Sequence, residues 1–81
     1  MTEISIAHHV KQQQFVIEIE GEQAVLEYQL QDDQIDFSRT YVPETLRSKG
    51  LAEHLVTHGL RWAKEQQFQI TASCWYVQKF I

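Results

Sequence analysis

Residues 40–52 of the chain read Thr40-Tyr41-Val42-Pro43-Glu44-Thr45-Leu46-Arg47-Ser48-Lys49-Gly50-Leu51-Ala52. Before this segment, apolar residues alternate with polar ones, which is typical of β-strands that bury one face. After it, apolar residues recur three or four positions apart, which is typical of an amphipathic helix. The change falls at Pro43, so the segment is predicted to join a strand to the main helix.

Four strands are predicted on the N-terminal side of this segment. The breaks at residues 11–13, 20–22 and 32–33 are short and polar, which favours an antiparallel meander. Val16 and Val25 fall on the face opposite to the alternating apolar residues, so that face is not wholly polar. The alternating apolar residues are Ile4 and Ile6, then Phe15, Ile17 and Ile19, then Leu26, Tyr28 and Leu30, and finally Ile35 and Phe37.

The C-terminal side predicts a helix from about Gly50 to Gln66 and a fifth strand over residues 68–72. Gly59 falls on the apolar face of this helix, where it allows another backbone to approach closely. A strand, helix, strand order favours a right-handed crossover, so the fourth and fifth strands are expected to be parallel. Residues Trp75 to Ile81 fit either a short helix or an extended end. The fold class is therefore α+β, with a mixed, mostly antiparallel sheet of about five strands.

The composition predicts one ordered domain that spans residues 1–81, with 43% hydrophobic and 22% charged residues. Cys74 is the only cysteine, so an internal disulfide is excluded, and no Cys/His cluster has the spacing of a zinc site. A reducing, cytoplasmic location fits this usage. No stretch approaches the roughly 18 apolar residues of a membrane span, so no membrane is expected as a partner.

The formal net charge of −4 argues against nucleic acid as a partner, because binding to phosphate backbones depends on clustered Lys and Arg. Most basic residues nevertheless lie in the second half of the chain, which favours a small anionic ligand there. A small sheet also leaves an unpaired edge and a poorly covered face. The sequence therefore does not decide between a homodimer and a monomer.

The segment from Arg47 to Ala52 has the composition of an anion site. The first turn of a helix offers unpaired N–H groups and the positive end of the helix dipole. Gly50 removes a side chain where an oxygen must approach the backbone, and Arg47 and Lys49 add positive charge. The same residues also fit a plain helix start in which Ser48 is the N-cap.

The pattern Arg47-x-x-Gly50-x-Ala52 resembles the Q/R-x-x-G-x-G/A signature with which GNAT N-acetyltransferases hold the pyrophosphate of acetyl-CoA. It follows Thr40-x-Val42-Pro43 and precedes Cys74-x-Tyr76-Val77, an order similar to that of short stand-alone GNAT-like proteins. The likeness covers the chain from about Phe15 to its end. Where that family usually has His, Gly and Pro, this chain has Arg39, Ser48 and Trp75.

This resemblance implies a GNAT-like fold with a short C-terminal helix, and acetyl-CoA as the cosubstrate. The pantetheine arm is expected in a gap where the sheet splays beside the Phe37 strand, and the acceptor is expected to be a small amine or peptide. The expected contacts with the coenzyme are Val42, Arg47, Ser48, Lys49, Gly50, Leu51 and Ala52.

Cys74 and Tyr76 are the catalytic candidates that the resemblance suggests near the acetyl group. Cys74 fits a nucleophile that carries the acetyl group transiently, and it also fits a thiol that is buried only for packing. Tyr76 fits an acid that protonates the departing thiolate, and it also fits an aromatic residue at the edge of the core. Because no side chain stands out as the base, a non-catalytic acyl-CoA-binding or dimerising module is the alternative to an N-acetyltransferase.

The histidines and tryptophans are interpreted first as ordinary surface or core residues. His54 and His58 lie four apart on the predicted helix and are interpreted as solvated residues, with contacts to one ligand as the alternative. His8 and His9 are also interpreted as solvated surface residues. Trp62 and Trp75 fit a core or a dimer surface, with a substrate groove as the alternative.

Overall fold

The computed structural model describes residues 5–47 and 50–81. Its five strands form one sheet in the order β1-β2-β3-β4-β5. A 3₁₀ turn, Glu44–Leu46, lies between β4 and the main helix. The elements are β1 (Ile6–His9), β2 (Gln14–Ile19), β3 (Glu22–Gln31), β4 (Gln34–Tyr41), α1 (Leu51–Glu65), β5 (Gln69–Ala72) and α2 (Trp75–Gln78).

The sheet follows the predicted topology. Strands β1 to β4 pair as an antiparallel meander, and β4 pairs with β5 in parallel through the crossover helix α1. Glu20 and Gly21 both have positive φ angles, 53° and 81°, as a tight two-residue hairpin turn requires. The first strand begins at Ile6, and the predicted strand residue Ile4 lies outside the described residues. Residues 75–78 form a short helix, which settles the choice left open for this segment.

Helix α1 covers one face of the sheet and closes the core. Its buried stripe meets the side chains of Phe15, Leu26 and Phe37, each of which is fully buried. A Cβ at Gly59 would lie 2.8 Å from Leu26 Cδ2 and 3.1 Å from Phe37 Cε1. The close approach predicted at Gly59 is therefore present, but its partners are side chains and not another backbone. The stripe consists of Leu51, Leu55, Val56, Gly59, Leu60 and Ala63.

The interpretation of His8 as a solvated residue is wrong. The His8 ring stacks on the Phe15 ring with centroids 4.0 Å apart, and Trp62 meets it edge-on at 4.6 Å. His8 Nε2 and the Tyr28 hydroxyl share a hydrogen bond of 2.5 Å. The His8 side chain thus connects the edge strand β1 to the core. Trp62 belongs to the same aromatic cluster as His8 and Phe15.

Strand β4 extends beyond its pairing with β5. Their pairing ends with Phe37 opposite Ala72, after which the Cys74 N–H donates to the Phe37 carbonyl at 3.0 Å. On its other side β4 shifts register between Glu27 and Tyr28, so Ser38 is an extra residue in the ladder. In the described part of the chain, no strand pairs with residues 39–41 on the β5 side. Because β5 itself ends at Ala72, the splay beside the Phe37 strand stays a prediction.

Candidate functional site

The loop between β4 and α1 is shaped by an arginine and a glycine. Arg47 Nε donates to the Val42 carbonyl at 3.1 Å, which ties the two ends of the 3₁₀ turn together. Gly50 is the N-cap of α1, with φ 72° and ψ 19° in the left-handed region that favours glycine. The alternative in which Ser48 is the N-cap is therefore wrong. Ser48 and Lys49, two of the expected coenzyme contacts, lie outside the described residues.

The start of α1 is open to an anion. Its N-cap makes no side-chain hydrogen bond, and the first helical bond runs from the His54 N–H to the Gly50 carbonyl at 3.1 Å. The N–H groups of the preceding first turn therefore have no partner within the helix. Among the described residues, apart from its chain neighbours, none lies within 4 Å of the position that a Cβ at Gly50 would take. The absent side chain thus leaves this position open at the start of the helix.

The loop forms one wall of a cavity of about 230 Å³, which we call the loop cavity. Glu53 also lines it, so one carboxylate faces the same space as the Arg47 guanidinium. Every expected coenzyme contact that the structure describes lies in this lining, together with the candidate acid Tyr76. These residues are Val42, Arg47, Gly50, Leu51, Ala52 and Tyr76.

Cys74 lies beside the cavity, at the start of α2, where it is the N-cap. Its Sγ is 3.6 Å from the Thr40 hydroxyl, and its side chain is half-buried. Burial raises the pKa of the Cys74 thiol, but hydrogen bonds from the Val77 N–H, the Thr40 hydroxyl and the N–H groups of Tyr76 and Thr40 outweigh it. The net pKa lies below the ordinary value, so this thiol loses its proton more readily than a free cysteine does.

Tyr76 sits in an aromatic and cationic surrounding. Its ring centroid is 6.2 Å from that of Trp75 and 5.4 Å from that of Phe80. The Lys79 ammonium lies 4.5 Å from the Trp75 ring centroid and 5.6 Å from the Tyr76 centroid. Trp75 is 68% exposed, so it is not a core residue. A positive charge and an exposed indole therefore stand beside the predicted acid.

The sequence did not point to every residue of the site. Thr40 and Cys74 are 34 positions apart in the sequence, so their contact could not be predicted from local spacing. Glu53 was also missed, although its place three residues after Gly50, on the exposed side of the first turn, could have suggested it. His54 borders a neighbouring cleft, and the loop cavity does not include it.

Comparison with known proteins places the chain in a family. The family model of GCN5-related N-acetyltransferases matches residues 14–81. Protein NATD1 of Gallus gallus is 33% identical over 81 residues, which cover 96% of this chain and 74% of that protein. Protein NATD1 of Homo sapiens is 32% identical over 81 residues, which cover 96% of this chain and 72% of that protein.

A solved structure has the same fold. The solution structure of a GCN5-like protein from Staphylococcus aureus superimposes with a TM-score of 0.74. The match covers 99% of this chain and 79% of that one, at 23% sequence identity. At that identity the likeness concerns the fold alone, and it agrees with the five-stranded, mostly antiparallel sheet and its two helices. Because the family model spans most of the chain and the NATD1 relatives align along nearly all of it, the chain belongs to the GCN5-related N-acetyltransferase family.

Proposed function

We propose that this chain is an acetyl-CoA-dependent N-acetyltransferase whose acceptor is a small amine or a peptide amine. The observation that supports this best is the loop cavity, in which the uncapped start of α1 and the Tyr76 phenol face one space. The site therefore combines a group that can bind the pyrophosphate of CoA with a phenol that can protonate the departing thiolate.

The loop suits a pyrophosphate for three reasons. The first-turn N–H groups of α1 are free of helical partners, and no side chain caps them. Gly50 leaves open the space that a Cβ would fill. Arg47 adds a positive charge at the cavity wall, which offsets the nearby Glu53 carboxylate. Val42, Leu51 and Ala52 complete the contacts that we assign to the coenzyme.

The edge of β4 suits the pantetheine arm. Residues 39–41 lack a strand partner on the β5 side in the described part of the chain, so their backbone groups can pair with an extended ligand. Pantetheine carries two amides, which can add to such an edge as a further strand does. This assignment directs the thioester end toward the point where the pairing of β4 with β5 ends, where Cys74 and Tyr76 lie.

The acetyl-CoA supplies the thioester carbonyl that the neutral amine attacks. The new C–N bond forms as the C–S bond breaks, the amine nitrogen releases a proton to water, and the Tyr76 hydroxyl donates its proton to the departing sulfur and regains one from water. A backbone N–H on the edge of β4 stabilises the negative charge that develops on the carbonyl oxygen. Lys79 beside Tyr76 disfavours a second positive charge, so it favours an acceptor amine in its reactive, neutral form.

Titration with acetyl-CoA tests the binding half of the proposal. Calorimetry should give a measurable dissociation constant, and a ligand at 100 times that constant should stabilise the fold by about 2.7 kcal/mol. The thermal unfolding midpoint should therefore rise with the acetyl-CoA concentration. An unchanged midpoint at millimolar acetyl-CoA, with no heat of binding, contradicts the proposal.

A non-catalytic acyl-CoA-binding module is the second candidate, and one observation favours it. Within the described residues, no histidine lines the loop cavity, and its one carboxylate, Glu53, sits at the phosphate end. Turnover separates the two candidates: the protein is incubated with acetyl-CoA and a panel of polyamines, amino acids and peptides, and free thiol is followed. Thiol release with at least one acceptor supports the enzyme, whereas firm binding without any release supports the module.

A further inference from the structure

Arg39 and Glu27 form an ion pair on the face of the sheet opposite α1. Leu26 and Tyr28 flank Glu27 and belong to the core, so Glu27 points to the other face, since successive side chains of a strand alternate. Arg39 lies directly opposite Glu27 in the register, and its Nη1 donates to Glu27 Oε2 at 3.1 Å. Tyr41 is the next residue on this face, and the Arg39 guanidinium lies 5.4 Å from its ring centroid. The three side chains therefore form one polar surface at the end of β4.

Both members of the Arg39–Glu27 pair can bind a further group. The side chains of Arg39 and Glu27 are 60% and 37% exposed. In the described part of the chain, the guanidinium donates to Glu27 Oε2 alone, and Glu27 Oε1 accepts no hydrogen bond. A guanidinium carries five N–H donors in a planar fork, so it can bind a second carboxylate, and a free carboxylate oxygen can accept from an ammonium. The pair thus complements the α-carboxylate and α-ammonium of a free amino acid.

The Arg39–Glu27 pair lies across β4 from the catalytic candidates. Thr40 follows Arg39 and pairs with Leu26, so its side chain points to the core side, where its hydroxyl lies 3.6 Å from Cys74 Sγ. Within the described residues, positions 39–41 have no strand partner on the β5 side, so a ligand can pass around this edge. A group bound at the pair is therefore separated from Cys74 by a single strand with an open edge.

This separation decides which amine of an amino acid can react. Packed sheets lie about 10 Å apart, so a group that rests on one face stands about 5 Å from the backbone plane. An α-amine held at Glu27 is an ammonium and stays on its own face of the sheet. A terminal amine on a flexible four-carbon stem, as in lysine, can extend around the edge of β4 to the thioester.

We propose that the acceptor is a free diamino acid of the lysine type. Its α-carboxylate binds Arg39, its α-ammonium binds Glu27, and its terminal amine is acetylated. The inference rests on the proposed function, because it uses the same thioester and the same acid, Tyr76. The neutral terminal amine attacks the carbonyl carbon, the C–N bond forms as the C–S bond breaks, the nitrogen releases a proton to water, and the sulfur takes the Tyr76 proton. Arg39 and Glu27 thus determine specificity and take no part in the bond changes.

Three acceptors that share a terminal amine test the assignment. Cadaverine is lysine without the carboxylate, and 6-aminohexanoate is lysine without the α-ammonium. At saturating acetyl-CoA, the parent chain should use lysine with a kcat/KM about tenfold above that for cadaverine, because cadaverine lacks a charge-assisted hydrogen bond to Arg39. The advantage over 6-aminohexanoate should be about threefold, because an exposed carboxylate contributes less. Chromatography against authentic standards should show that lysine is acetylated at its terminal amine.

Substitution of each partner should remove one preference. Arg39→Gln should bring the ratio of lysine to cadaverine kcat/KM to about 1, and Arg39→Lys should restore part of it, because lysine keeps the charge but not the fork. Glu27→Gln should bring the ratio of lysine to 6-aminohexanoate to about 1. Arg61→Gln on α1 and Glu18→Gln on β2 are the matched controls, since each removes an exposed charge elsewhere and should keep both ratios. A variant that merely damaged the fold would slow all three acceptors equally.

The negative results have different meanings. If the parent chain uses the three acceptors equally well, acetylates lysine at its α-amine, or keeps both ratios in the variants, the Arg39–Glu27 pair does not select the acceptor and the proposed function stands. The same conclusion follows if other amines are acetylated but none of these three. If the parent chain does not bind acetyl-CoA in calorimetry, the proposed function itself fails and the assignment of the acceptor fails with it.

Discussion

Gly50 meets two requirements at one residue, since the loop needs its left-handed backbone and the proposed pyrophosphate site needs its missing side chain. Its φ is 72°, a conformation that costs an L-residue about 1–2 kcal/mol. Space alone does not require glycine, because no described residue apart from its chain neighbours lies within 4 Å of the Cβ position. Gly21 has the same two properties in the β2–β3 turn, with φ 81° and open space around it.

This pair of glycines gives the first prediction. Gly50→Ala and Gly21→Ala should each lower the free energy of unfolding by about 1 kcal/mol, because both introduce the same backbone strain. Only Gly50→Ala should weaken acetyl-CoA binding, and Gly50→Glu should abolish it, because a carboxylate would stand where the pyrophosphate meets the backbone. Urea unfolding and calorimetry measure the two effects. Equal acetyl-CoA affinity in Gly50→Glu and the parent would show that the loop is only a helix start.

Arg47 is expected to contribute less to binding than Gly50. Its side chain is exposed, and its Nε bond to the Val42 carbonyl holds the loop as well as any ligand. Arg47→Ala should weaken acetyl-CoA binding by no more than about 1 kcal/mol, and the loss should shrink at high salt, because salt screens exposed charges. A loss of binding as complete as in Gly50→Glu, at any salt concentration, would give the arginine the main role.

Tyr76 and Cys74 are expected to affect transfer more than coenzyme affinity, because the proposed mechanism assigns both to the acetyl group. Tyr76→Phe should slow turnover about 10- to 100-fold, at or below the usual contribution of a general acid. Cys74→Ser should retain most of the activity if the amine attacks the thioester directly. Steady-state kinetics with each variant, alongside calorimetry with acetyl-CoA, measure the two properties separately.

The lowered pKa of Cys74 makes a sharper test of its role worthwhile. Without an acceptor, a nucleophilic thiol would displace CoA from acetyl-CoA and keep the acetyl group as a thioester. We expect no added mass on the protein under these conditions. An acetyl adduct that hydroxylamine removes and Cys74→Ser prevents, together with full activity of Tyr76→Phe, would reverse the assignment.

At the scale of elements, α1 serves both the core and the site. Its N-terminal turn lines the loop cavity, and its buried stripe closes the core. Gly59 sets the distance between this helix and the sheet, because its missing side chain lets Leu26 and Phe37 come close. The position of the proposed anion site relative to β4 therefore depends on how closely α1 packs.

Gly59→Ala should accordingly destabilise the fold although alanine is the better helix former. The gain in helix propensity is about 1 kcal/mol, whereas overpacking of a buried contact costs about 1–3 kcal/mol. The net loss of unfolding free energy should be about 1 kcal/mol. His54→Ala is the matched control, because it is an exposed position of the same helix and should be neutral or slightly stabilising. A rise in stability for Gly59→Ala would mean that Leu26 and Phe37 can move aside.

At the scale of the whole molecule, the edge strand β1 is coupled to the core through His8. Burial lowers the pKa of His8, and repulsion from His58 on α1 and His9 on its own strand lowers it further. Tyr28 from β3 shares its hydrogen bond, and burial raises the pKa of that phenol, so it stays neutral in the acidic range. Folding therefore favours an uncharged His8.

This coupling predicts the direction of the pH dependence. Because the pKa of His8 is lower in the folded than in the unfolded chain, the unfolded chain binds more protons in that interval. The contribution to stability is complete above the unfolded value of 6.5 and is lost as the pH falls through the lower folded pKa. Urea unfolding of the parent and His8→Gln between pH 7.5 and about 4.5 measures it. His8→Gln should show the shallower loss of stability, and a loss as steep as that of the parent would contradict the coupling.

Neither helix in the described part of the chain is long and apolar enough to cross a membrane.

The face of the sheet opposite α1 carries a row of side chains across four strands, as the register shows. The row consists of Ala7, Val16, Val25 and Tyr41. Val16 is only 4% exposed in this row, which agrees with the prediction that this face is not wholly polar.

What the sequence by itself determined is local. Alternation with period two specifies which residues of β2, β3 and β4 face the core, and spacing of three or four specifies the buried stripe of α1, because each period follows from the backbone geometry. The segment from Arg47 to Ala52 could be predicted as an anion site for the same reason, since its groups are adjacent along the chain. The parallel pairing of β4 and β5 also followed, because crossover connections have one preferred hand.

Only the tertiary structure decided which distant residues meet. His8 with Tyr28, Thr40 with Cys74, and Tyr76 with the loop each join positions between 20 and 34 residues apart or belong to different elements. The same holds for Phe80 beside Arg61 and Lys64. These contacts depend on strand order, on the point where the pairing of β4 with β5 ends, and on the close packing of α1 at Gly59. No local period encodes such pairs, because a partner across the fold is brought near by the path of the whole chain and not by its spacing in the sequence.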